Sequence, residues 1–240
     1  MSGQLRRAMA GRPYGRVMDD PTAGPAELRT PRAAAVAGIA FALILGAVLV
    51  LARSATLAQG ADPATWLSPQ SRRTSVEIAL YLVPFAGIAF LWFIGVLRSR
   101  LGAAEDRLFA TVFLGSGLLF VASLFAAAAA LTSILQLAPT GEAVPTESIK
   151  TLATLSSVFS GDFATRMAAV FTLAVTTAGR RAGLLPSWLV AVGYIFPVGL
   201  LVSPPSMPWV AILFPVWVLM LSIHILVSNE RESRQPNRQS

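Results

Sequence analysis

The chain has 240 residues, 55% of them hydrophobic and only 13% charged, with a mean hydropathy of +0.65, whereas a soluble domain carries about 25% charged residues. It has no cysteine and one histidine, His224, which excludes disulfides, thiolate chemistry and any multi-histidine metal site. The net charge of +7 falls in short clusters between long apolar runs, and so reads as the positive-inside bias of a membrane protein and not as a nucleic-acid surface.

Residues 1–32 form a polar tail carrying Arg6, Arg7, Arg12, Arg16, Arg29 and Arg32 and broken by Pro13, Pro21, Pro25 and Pro31. It is expected to be a disordered basic segment. The tail and the apolar run behind it are both too long for an ordinary signal peptide. Met18, which opens "MDDPTAGPAELRTP", is a candidate alternative start.

Six apolar stretches follow, at about 33–52, 76–97, 108–131, 163–179, 187–202 and 208–228. About 20 apolar residues in a helix cross a ~30 Å hydrocarbon layer. The expected fold is therefore all-α: a polytopic transmembrane bundle of six helices over 33–228, with a C-terminal tail at 229–240. End signals agree. Thr74-x-x-Glu77 reads as a capping box, Gly179 as a helix end and Pro208 as a first-turn proline. Trp188 and Trp209 stand at span ends, where amphipathic rings favour the interface.

Two connections are long. The 53–75 loop holds "DPATWL", read as one short helix with Asp62 as its cap. The 132–162 loop holds "TESIKTLATLSSVF". There Ile149, Leu152, Leu155 and Val158 or Phe159 recur at helical spacing, which predicts a short amphipathic helix on the outer surface or on the bundle. With six spans, fourteen Lys and Arg residues fall on one side and five (Arg53, Arg72, Arg73, Lys150, Arg166) on the other. Both termini are then cytoplasmic. High Ala, Arg and Gly with a single Lys, Lys150, suggests a GC-rich bacterial genome, and hence a bacterial cytoplasmic membrane.

Charges near a span are the first place to look for function. "SGDFATRMAAVFTLAV" (160–175) puts Asp162 and Arg166 one turn apart at the head of the fourth span. One reading is a helix finish, with Asp162 as N-cap and Arg166 reaching outward to headgroups or to Asp162. The other is an outer binding site in which Asp162, Arg166, Glu77 and Arg53 converge on a polar headgroup or anionic solute. A second candidate is a midplane transport site. "PFAG" in the second span and "FPVG" in the fifth bring Pro84, Gly87, Pro197 and Gly199 to matching places in two oppositely oriented halves, the pattern of broken transporter helices.

Other features read as packing. Gly38, Ala42 and Gly46, and Ala122, Ala126 and Ala130, are small-residue seams. Ser116 in "LGSGL" is similar to the Gly-x-Ser-Gly of intramembrane serine proteases, but Leu114 stands where that motif has glycine. His224 has no carboxylate deep in any span to relay with. No P-loop, paired membrane carboxylates or aspartate cluster occurs, so neither an enzyme nor a cofactor or metal is expected.

The stretch "TTAGRRAGLLPSWLVAVGY" (176–194) resembles a turn of uncharacterised bacterial multi-span membrane proteins of unknown function, through Arg180, Arg181, Gly183, Leu184, Leu185, Pro186, Trp188 and Leu189. The resemblance covers two spans, implies six or so helices, and carries over no functional residue. The expectation is a non-enzymatic integral membrane protein, accessory or lipid-binding. Its partners would be membrane lipids and a protein partner or a second copy, with no nucleic acid. The alternative is a small transporter using the midplane site.

Overall fold

An apolar run placed among lipid must satisfy every backbone N–H and C=O within itself, and a helix does so. In a computed structural model that describes residues 30–53, 70–101, 107–137, 145–203 and 208–233, the chain is helix and short turns among those residues. The elements are α1 (Thr30–Arg53), α2 (Gln70–Leu101), α3 (Arg107–Leu137) and α4 (Thr146–Ser157). A π-helical segment, Val158–Ala164, joins α4 to α5 (Thr165–Arg181). There follow α6 (Ser187–Val202), a 3-10 turn (Pro208–Ile212) and α7 (Leu213–Ser233).

Five helical stretches are long and apolar enough to cross a membrane: Ala35–Ala52, Ser71–Arg98, Ala110–Leu137, Thr146–Arg181 and Trp209–Ser228. The 16-residue α6 is apolar but shorter, about 24 Å at 1.5 Å per residue. Their outer surfaces are apolar too. On α1, Val36, Leu43 and Val50 are each 61% exposed along one stripe, and on α2, Tyr81 and Trp92 are each 70% exposed. Apolar exposure on this scale is unfavourable in water and ordinary against lipid. The protein is a multi-pass, membrane-type helical bundle.

Three expectations need correction. The fourth span is not 163–179 behind a loop; a single helix runs from Thr146 to Arg181. The amphipathic α4 is its first part, and Ile149, Leu152 and Ala153 pack against Val76, Ile134 and Leu135 at the ends of α2 and α3, while Leu155 is exposed. Asp162 is therefore not an N-cap. It lies inside the π segment, in a helix that does not break there because Arg166 takes both the Asp162 carboxylate and its carbonyl. Nor is Thr74-x-x-Glu77 a capping box: α2 begins at Gln70, and Glu77 accepts from Arg73 at 2.9 Å. The "DPATWL" helix and the residue 1–29 tail lie outside the described residues.

One helix end is built by backbone alone. After α5, Gly183 adopts φ +67°. Its N–H bonds Arg180 O at 3.1 Å, and the N–H of Leu184 bonds Gly179 O at 2.9 Å. This is the double bond of a Schellman stop, which favours glycine at the left-handed residue. Leu185 folds back over Gly179, where a Cβ would collide with it. The α5–α6 hairpin that results is close-packed. Thr176 Oγ1 donates to Gly193 O at 3.3 Å, and a Cβ on Gly193 would overlap that hydroxyl.

The core is aromatic. Phe41 of α1, Phe90 and Phe93 of α2, Phe113 and Phe120 of α3, Phe171 of α5 and Phe214 of α7 are all buried. Their rings meet at 4.5 Å (Phe41–Phe90), 4.9 Å (Phe120–Phe214), 5.0 Å (Phe90–Phe171) and 5.1 Å (Phe113–Phe171), within the range of favourable tilted, edge and stacked contacts. Phe90→Ala is expected to destabilise the bundle by about 2–4 kcal/mol in reversible unfolding from mixed micelles, somewhat less than in a soluble core because lipid is as apolar as the interior. Trp92→Ala, two residues on but facing outward, should change stability by no more than ~0.5 kcal/mol.

Candidate functional site

The end of the bundle away from Thr30 and Ser233 contains a cavity of about 330 Å³, at the lower end of the ~300–1,000 Å³ typical of small-molecule sites. Its apolar walls come from the last turns of α1 (Val48, Leu49), the first half of α2 (Ala79, Leu80, Val83) and the last half of α3 (Leu124, Ala127, Ala128, Leu131). Ser203, Trp209 and Ile212 border it from the α6–α7 junction. No Asp, Glu, Lys, Arg or His occurs among its described lining residues.

The fourth wall is polar. Ser156, Ser157, Ser160, Gly161 and Thr165 face the space from the α4–π–α5 helix. In an uninterrupted α-helix, residues 156 and 165 differ by nine positions and stand on opposite sides, at about 100° per residue. The π segment places one extra residue in the turn and rotates Ser156 and Ser160 round to the side of Thr165. The Thr165 hydroxyl marks the change by donating five residues back, to Ser160 O at 3.2 Å. The other hydroxyls are anchored as well. Ser156 donates to Ala127 O of α3 at 2.9 Å, Ser160 to Ser156 O at 2.8 Å and Ser157 to Thr154 O at 2.8 Å. Ser156 thereby ties the π wall to α3.

Asp162 and Arg166 flank this wall. Arg166 Nη1 donates to Asp162 Oδ1 at 2.6 Å and to Asp162 O at 3.0 Å, with both side chains half-buried. Arg166 follows Thr165 by one position, about 100° round the helix, so the pair stands beside the cavity and not in its lining. Glu77 pairs separately with Arg73 on α2. The two acidic residues of the proposed outer cluster thus each close an ion pair within their own helix. The Arg53 side chain lies outside the described residues.

The midplane candidates are not brought together. Pro84 faces outward, and Gly87 is the seat of Phe125 from α3, where an added Cβ would clash. Pro197 is buried and Gly199 exposed on α6. α6 packs on α5 and α7, whereas α2 packs on α1 and α3. None of the four lines the cavity.

Ser116 spends its hydroxyl on its own helix, donating to Val112 O at 2.7 Å. Gly38 and Ala42 are buried; a Cβ on Gly38 would meet Ser222 and Phe93, so this part of the seam is internal. Ala122 is exposed and Ala130 buried. No protein-family model, curated protein or solved structure matches the chain.

In the sequence the hydroxyl row is masked by the apolar periodicity of "TLATLSSVFS". Ser156, Ser160 and Thr165 are spaced four and then five, and that change of step is the one signal of the π turn. For the ion pair, a double-mutant cycle with Asp162→Ala and Arg166→Ala should give a coupling energy of ~0.5–3 kcal/mol. The double variant should be no less stable than the worse single variant, measured by unfolding in mixed micelles. Additive losses would mean that the two residues act separately.

Proposed function

We propose that the protein is a non-enzymatic integral membrane protein that holds an apolar or amphipathic lipid-like molecule in the cavity at this end of the bundle. The observation that carries the reading is the cavity itself: apolar walls from three helices facing one uncharged hydroxyl wall, which is how binding sites for small apolar molecules are commonly lined. The π turn supports it. π turns are costly interruptions that recur at functional sites, and here the interruption supplies the polar wall. The fourteen-to-five bias of basic residues supports a cytoplasmic location for both termini, in a bacterial membrane. The cavity then faces the outer half of the bilayer.

The alternative of a small transporter working at Pro84, Gly87, Pro197 and Gly199 has no comparable support, since each residue has a local packing role or faces outward. The native chain has no cysteine, so single cysteines at these four positions are expected to stay unlabelled by a membrane-impermeant maleimide. Labelling at matched positions in both halves would restore the transport reading.

Gly161 provides the direct test. It lines the cavity, and a Cβ there meets nothing within 4 Å. Gly161→Leu should fold, gain helix propensity and fill the space. Native mass spectrometry of gently extracted protein should find a bound lipid-like species on the wild type and lose it in Gly161→Leu. Retention of the same species at the same occupancy would overturn the reading.

A further inference from the structure

The hydroxyls of the cavity have a direction. A serine or threonine hydroxyl offers one O–H and two lone pairs. Each of the five hydroxyl residues in the described lining gives its O–H to a backbone carbonyl: Ser156 to Ala127 O, Ser157 to Thr154 O, Ser160 to Ser156 O, Thr165 to Ser160 O, and Ser203 to Leu200 O at 3.4 Å. What remains for an occupant is lone pairs. The one other polar side chain in that lining, Trp209, is 63% exposed and engaged in a contact of its own. The wall is thus an acceptor strip with no cation in its described lining, and the cation that flanks it, Arg166, is engaged by Asp162.

An occupant must match that polarity. A carboxylate or phosphate monoanion is acceptor-only or carries net charge; inside the cavity its oxygens would face other lone pairs, and its charge would lose water without a partner. A pure hydrocarbon would leave the strip unpaired. A neutral amphiphile whose polar end carries O–H donors fits both walls. At about 330 Å³ the space takes a head group and part of one chain, and not a two-chain lipid.

We infer that the cavity selects a neutral, single-chain amphiphile with a hydroxylated head, of the monoacylglycerol or long-chain alcohol class, with the head against Ser160 and Thr165 and the chain against α1, α2 and α3. The inference rests on the cavity-binding reading above and names the ligand class for the same site.

The test is a competition in nanodiscs containing the full chain. Monododecanoylglycerol, dodecanoate at pH 8 and dodecane are offered separately, and occupancy is read by native mass spectrometry. Monododecanoylglycerol should bind one per chain, and roughly tenfold or more tighter than dodecanoate, the difference expected for an unmatched buried polar group. Ser160→Ala and Thr165→Val should each weaken monododecanoylglycerol by about fivefold or more and leave dodecane unchanged. The dodecane result also shows that these variants keep the cavity. Equal or tighter binding of dodecanoate, or hydroxyl variants that bind monododecanoylglycerol as well as the wild type, would overturn the inference. If all three ligands bind and are lost together in Gly161→Leu, with no preference for the donor head, the cavity reading stands and this inference falls. If none binds in the wild type, both fall.

Discussion

The bundle depends on shape-matching among phenylalanine rings. In water, burying Phe90 would be favourable whatever it touched. Between helices in lipid that driving force is absent, because the tails outside are as apolar as the core. What favours the folded arrangement is dispersion between closely fitted surfaces, a fraction of a kcal/mol per atom pair summed over many pairs. Phe41, Phe90, Phe120, Phe171 and Phe214 meet in one cluster with centroid distances of 4.5–6.2 Å. They draw α1, α2, α3, α5 and α7 to a common point. Small residues complete the fit: Gly117 lets Ile94 and Phe171 approach α3, and Gly38 seats Phe93 and Ser222 against α1.

With the ring cluster locking this part of the bundle, irregularity is confined to one end. The π segment Val158–Ala164 ends seven residues before Phe171. It stores an extra residue that a straight helix would have to place elsewhere. Three local bonds hold it. The Arg166 guanidinium engages the carbonyl and carboxylate of Asp162, and Thr165 reaches back to Ser160 O. The ion pair and the hydroxyl wall are in this sense one device. The pair fixes the outer flank of the turn, and the rotation that results carries Ser156 and Ser160 to the cavity side.

The long apolar runs are legible because length and composition alone decide whether a helix can live in lipid, so five of the six appear where the sequence puts them to within two turns. The fourth starts at Thr146, well before the expected 163. Ser160, Gly161 and Asp162 form a strong helix-opening signal when side chains are free to cap. Here the Asp162 carboxylate is already held by Arg166, and Gly161 sits in a helix it does not break. The two Pro/Gly pairs looked like corresponding halves of a site. Each has a local explanation, Gly87 as the seat of Phe125 and Pro84 on the outer face. The cavity itself could not be read, because it is a property of which helices stop short, and one-dimensional spacing does not record that.

The short helix is α6, and its register explains where the cavity lies. The Thr176–Gly193 hydrogen bond aligns α5 and α6 as an antiparallel pair leaving the stop at Gly183. Counting outward from that bond at equal rise, Val202, the last residue of α6, comes level with about Met167. The fourth span continues past that level for another 21 residues, to Thr146, and the first part of that continuation is the π segment. A helix of ordinary length at α6 would cover this stretch with side chains. Helix α6 instead ends at Val202, and Ser203, Trp209 and Ile212 border an opening that no described helix fills. Cavity and π turn therefore share one origin: a pair of neighbouring helices of unequal length, where the longer one exposes a face and turns its hydroxyls toward the gap.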